Sequence, residues 1–171
     1  MYLEDTLLMM PGPVTVTPRV LRAMSKPMIN HRSAEFAGIY TDCREIQEAL
    51  HIVKEEGMEA RVKRHRVFSE AIRAAVAELN IEMFPQLKEY SHYYNTVSAM
   101  KAPTDVNGDN IKNDVKSRGV IIAGGQECLK NKIFRIGCMG NVTKRDVLST
   151  IQKLEIVLNK RGYIDSLGAG I

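Results

Sequence analysis

The spacing of apolar residues divides the chain into an extended start, a helical first half and a second half where strands and helices alternate. Residues 1–16 read as an extended arm, because Met9–Pro13 carries two prolines around Gly12 and cannot be helix. Thr17 as N-cap, Pro18 at the first helical position and Val20, Leu21 and Met24 on one side predict a short helix, stopped by Pro27. No proline interrupts residues 34–56, and their pattern is helical up to Gly57, a helix end or kink. Phe68, Ile72, Ala75 with Val76, and Leu79 form the apolar stripe of a second helix from Met58 to about Asn80.

The period then drops to two. Ile81–Phe84, Thr96–Met100, Val120–Ala123 and Lys132–Gly137 read as strands. Between the second and third of these, Thr104–Asp109 is a loop and Ile111–Ser117 a short helix. A last helix opens on Thr143 and Asp146, a capping box with Asp in place of Glu, and carries Val147, Ile151, Leu154 and Leu158 at spacings of four, three and four. Lys160, Arg161 and Gly162 end it, and a mobile tail is expected from Asp165. The order predicts an α+β fold: a small, mostly antiparallel sheet with helices packed on one face. The expected division is 1–46 for the arm and its helices, 47–164 for the main domain and 165–171 for the tail.

Composition narrows the function. With 44% hydrophobic and 26% charged residues the chain is ordinary for a soluble globular protein, and no apolar run is long enough to span a membrane. Two acids near the N-terminus argue against a signal peptide, and a cytoplasmic location is expected. The net charge of +4 is small and there is no Trp, so neither nucleic acid nor membrane is an expected partner; Arg61–Arg66 reads as a solvated helix face. Cys43, Cys128 and Cys138 form no CxxC pair, His31, His51, His65 and His92 are scattered, and no metal site is expected.

Three strings carry candidate chemistry. Pro11-Gly12-Pro13 is a turn or a domain-entry bend, and Asn30-His31-Arg32 is equally unspecific alone. Residues 123–140, Ala-Gly-Gly-Gln-Glu-Cys-Leu-Lys-Asn-Lys-Ile-Phe-Arg-Ile-Gly-Cys-Met-Gly, are more specific. Alternation along the strand turns Phe134 and Ile136 to the core and Ile133, Arg135 and Gly137 to the opposite face. A guanidinium on a rigid strand between glycines suits bidentate recognition of a carboxylate; pairing with an acid of the protein itself is the structural alternative.

The string Gly-Gly-Gln-x5-Lys-Ile-Phe-Arg-Ile-Gly-x-Met-Gly resembles the C-terminal signature of class V, pyridoxal-phosphate-dependent aminotransferases. Within that class it is most like the alanine–glyoxylate, serine–pyruvate and archaeal aspartate group. Leu7–Pro13, Pro18–Met24 with His31-Arg32, and Glu55–His65 resemble other segments of the same enzymes, in family order. The resemblance implies the small domain of a fold type I aminotransferase, with amino-group transfer between an amino acid such as alanine, serine or aspartate and a 2-oxo acid. It implies that Arg135 holds the substrate α-carboxylate and that Gly12 lies on the substrate and cofactor side of the cleft. Pro11 and His31 are weaker candidates for the same loop.

The family's middle is not found in this sequence: neither the Ser-Gly-Thr phosphate cup, nor the Asp for the pyridine nitrogen, nor the Gly-Ser-Gln-Lys-like string with its Schiff-base lysine. The two matching ends meet near Ile46-Gln47 without a break in helical pattern, which predicts one fused helix over 34–56. Pyridoxal phosphate needs an aldimine lysine and an acid beneath its ring nitrogen to act as an electron sink. The expectations are therefore no catalytic lysine, no stable cofactor binding and no activity of this chain alone, with homo-oligomers formed through faces the missing part leaves bare. The alternative is a non-enzymatic self-association or interaction module derived from the small domain.

Overall fold

The computed structural model describes residues 7–9, 16–25, 44–104 and 106–170. Two compact units emerge, one of Val16–Arg64 and one of Met1–Thr15 with His65–Ile171.

In the first unit, α1 spans Pro18–Met24, with Thr17 as N-cap accepting from the Val20 N–H at 3.4 Å and proline opening the helix. α2 spans Arg44–Glu56, so the upstream part of the expected fused helix lies outside the described residues. Arg19 of α1 pairs with Glu48 at 2.6 Å and Glu55 at 2.9 Å on one side of α2. Ile46 and Leu50, one turn apart on α2, are 60% and 61% exposed. Gly57, at φ +79°, separates α2 from α3 (Met58–Glu78), a conformation that a residue with a Cβ adopts only with strain. Glu56 clasps this break by pairing with Arg61 and Arg64 of the next helix. The Arg64 hydrogen bonds, ahead of those from Arg61, hold the Glu56 carboxyl below the usual carboxylate range despite its partial burial.

In the second unit the sheet has the order β1-β3-β4-β2, with β1 Leu7–Met9, β2 Val97–Lys101, β3 Val120–Gly124 and β4 Ile133–Gly137. β4 pairs antiparallel with both β2 and β3, while β1 joins the outer side of β3 in parallel. The expected arm thus supplies an edge strand at residues 7–9. Alternation sends Met9, Val120, Ile122, Phe134, Ile136 and Met100 to one face. There they pack with Ile72, Val76 and Leu79 of α3, Ile111 and Val115 of α4 (Gly108–Lys116), and Ile151, Leu154 and Leu158 of α5 (Lys144–Lys160). Burying such a side chain contributes about 1.5–3 kcal/mol relative to exposure, so this face fixes the strand register. The predicted architecture of a mostly antiparallel sheet with helices on one face is present. The Thr143–Asp146 capping box on α5 is also formed as expected.

Ile81–Phe84, expected as a strand, forms only the bridge Met83–Met100. The reason is local: Asn80 turns to φ +56° and the Ile81 N–H donates to Val76, so the end of α3 consumes the start of the segment. Residues 165–170, expected as a mobile tail, lie beside α5. Glu155 is 1% exposed and accepts the Gly170 N–H at 2.7 Å and the Gly168 N–H at 3.4 Å. A Cβ on Gly170 would stand 3.2 Å from Ile151 and 3.5 Å from Ala75, so the backbone lies close in that groove.

Replacing Glu155 by Ala leaves those amides without an acceptor and is expected to cost about 2 kcal/mol, by the worth of hydrogen bonds to a charged group. Limited proteolysis with mass mapping should then find cleavage within 165–170 that the parent chain resists. The depressed Glu56 carboxyl contributes stability above its unfolded titration range, and this is lost as pH falls through its folded one. Acid titration of Glu56→Gln against the parent, followed by circular dichroism, should show the parent's advantage shrinking below about pH 4.

Candidate functional site

Arg135 lies at the middle of β4, and its neighbours follow from the register. Ala99 of β2 and Ala123 of β3 stand directly opposite it on either side. Residues paired across an antiparallel sheet share a face, so Arg135 stands between two methyl side chains. The Arg135 Nε donates to the Gly124 carbonyl at 3.0 Å. The side chain is half-buried, and no acid among the described residues pairs with it. Its terminal nitrogens are therefore the groups a bidentate carboxylate would meet, at a guanidinium whose orientation is already fixed.

The face expected to be open is closed at one end. Ile133 shares it with Arg135, yet is 4% exposed, because the turn through Gly125 and Leu129 folds over it. A Cβ on Gly125 would fall 1.9 Å from the Leu129 carbonyl oxygen, so only glycine permits that turn. The role of the Gly124-Gly125 pair is thus to supply the carbonyl that holds Nε and the turn that covers Ile133. Nothing in the sequence pattern marks the two alanines; the pairing register is the signal that finds them.

Arg135 is the one sequence-expected site residue among the described residues. Gly12, Pro11 and His31 lie outside them. Cys138 begins the segment after β4 and is buried, and burial pushes its thiol up to about 11, so it is a packed thiol and not a nucleophile. Cys128 is exposed.

The described residues do not by themselves fit pyridoxal phosphate. No described lysine is buried, as the desolvated amine of a Schiff base would be. The one buried acid among the described residues, Glu155, is taken up by the tail amides. Among the described residues, no group of three or more His, Cys, Asp or Glu able to hold a metal ion occurs, and no helix is long and apolar enough to cross a membrane.

No protein-family model matches the chain. Among curated proteins it is 38% identical over 128 residues to a protein named soluble hydrogenase, small subunit, of Synechococcus sp., covering 74% of this chain and 32% of that one. It is 36% identical over 116 residues to an uncharacterized aminotransferase of Methanocaldococcus jannaschii, covering 67% and 29%. Among solved structures, the ureidoglycine–glyoxylate aminotransferase of Bacillus subtilis superposes with a TM-score of 0.64 at 29% identity, over 70% of this chain and 30% of that one. The chain spans about 30% of the length of these relatives.

The two described thiols differ enough to be told apart. Alkylation with iodoacetamide at pH 8, read by peptide mass mapping, should modify Cys128 and leave Cys138 unmodified until denaturant is added. Equal labelling of both in the native state would contradict the burial described above.

Proposed function

We propose a function on the premise that this chain is kin to the class V pyridoxal-phosphate aminotransferases of the serine/alanine–glyoxylate type, in sequence and in fold. It carries the substrate-carboxylate clamp of amino-group transfer without the apparatus that performs the transfer. The observation that supports this reading is Arg135: a guanidinium held by its Nε at the Gly124 carbonyl, on a strand flanked at that level by Ala99 and Ala123, with no protein acid against it among the described residues. An amino acid or a 2-oxo acid presents the flat, two-oxygen group this fork matches.

The transfer itself belongs to the coenzyme, which supplies the electron sink when bound in the family's enzymes. This chain's described residues offer neither a desolvated lysine nor a free buried acid for it. We infer that the chain alone binds its carboxylate weakly and does not turn over. A single partly exposed ion pair contributes at most about 1 kcal/mol, and half a cleft adds little to that.

Two measurements test the reading. Titration with glyoxylate or alanine, followed by nuclear magnetic resonance, should move the signals of Ala99, Ala123 and Arg135 with a Kd on the order of 100 mM, as about 1 kcal/mol of binding free energy implies. The response should vanish in Arg135→Gln and weaken in Arg135→Lys, which keeps the charge but loses the fork. Incubation with pyridoxal phosphate and borohydride should give scattered, substoichiometric lysine labelling. One lysine labelled stoichiometrically would show that the chain seats the coenzyme and would overturn the claim of inactivity.

A further inference from the structure

One pleat beyond Arg135 on the same face of the sheet, the pair Lys101–Ile133 borders a cleft of about 530 Å³. The volume falls in the range of small-molecule sites, roughly 300–1,000 Å³. Its apolar wall comes from four separate segments: Phe84 after the bridge to β2, Val106 before α4, Leu129 in the turn and Ile133 in β4. Its charged lip comes from Lys101 at the end of β2 and Lys132 just before β4. No acid lines it among the described residues. Lys101 reaches the exposed Glu82 outside the cleft, and no carboxylate pairs with Lys132 among the described residues.

The wall is built by close backbone approach, which makes it stiff. The Gly108 N–H donates to the Asn131 carbonyl at 2.9 Å, and a Cβ on Gly108 would meet the Ile133 carbonyl oxygen at 2.9 Å. The first turn of α4 is thus pressed against the start of β4 by a residue with no side chain, and Gly125 does the same on the side of the turn. The helix N-terminus itself offers nothing further. The Asn107 side chain takes the Asp109 N–H at 2.8 Å and its carbonyl takes the Asn110 N–H at 2.9 Å, so the orphan donors are largely used.

We propose that this cleft binds an amphipathic monocarboxylate, with its aryl or branched aliphatic body against Phe84, Val106, Leu129 and Ile133 and its carboxylate at Lys132 and Lys101. An apolar wall alone would accept a neutral ligand equally well, whereas Lys132, with no carboxylate partner among the described residues, beside Lys101, which Glu82 holds from outside the lining, favours an anion. The site is distinct from the Arg135 clamp, since Arg135 does not line the cleft.

The test uses the whole chain, isotope-labelled, with 4-phenylbutyrate as probe and 4-phenylbutanol and acetate as comparators. Phenylbutyrate should shift the resonances of Phe84, Lys101, Val106, Leu129 and Ile133 and reach saturation. The alcohol lacks the charge and the acetate lacks the body, and each should bind roughly tenfold more weakly or worse, by the worth of two exposed ion pairs or of the buried ring. The double variant Lys101→Gln/Lys132→Gln should weaken phenylbutyrate binding by about tenfold, with core resonances unmoved, while Arg135→Gln leaves it unchanged. Absence of saturable shifts overturns the proposal, as does equal binding of the alcohol. So does a loss confined to Arg135→Gln, which would assign the anion to the strand arginine; failure of the Arg135 titration described earlier leaves this cleft unaffected.

Discussion

The alternation of β4 is the constraint from which the rest follows. It is flanked on both sides by other strands, so its backbone groups are spoken for and its side chains can go only up or down. Phe134 and Ile136 go down into the helix-covered core, where misregister by one residue would bury a guanidinium in place of a phenyl ring. That penalty is what sends Arg135 to the other face. The hydrophobic core and the candidate site are therefore one arrangement seen from two sides: the packing of Phe134 aims Arg135.

Much of this is legible in the order of the amino acids. The stripe of α3, the strands 120–123 and 132–137, and the cap and stripe of α5 all stand close to where the pattern puts them, because each is decided by side chains a few residues apart. What escapes the pattern depends on partners distant in sequence. Ile133 is buried by Leu129 and Gly125 folding back over it, and periodicity alone cannot see a turn cover a sheet face. Leu7–Met9 becomes an edge strand because β3 lies ready beside it, over one hundred residues away. Ile81–Phe84 fails as a strand because Asn80 adopts a left-handed conformation, a choice that asparagine permits but does not dictate. The alanine pair flanking Arg135 belongs to the same class: neither Ala99 nor Ala123 is notable until the register brings them together.

The relation to larger enzymes gives these local facts their context. The likeness to the aminotransferases covers most of this chain but about 30% of theirs. The arrangement of Arg135 between Ala99 and Ala123 is set inside one sheet, so it needs none of the remaining length.

The uncovered side of α2 has a practical consequence. Ile46 and Leu50 stand more than half exposed in the folded chain, as do Met58 and Val62 in the next helix. Fluorescent dyes that brighten on apolar surface are the usual reporters of melting, and they read such surface as a sign of disorder. For this protein such a dye would find apolar surface before any melting, so a high starting signal would not by itself report loss of the fold.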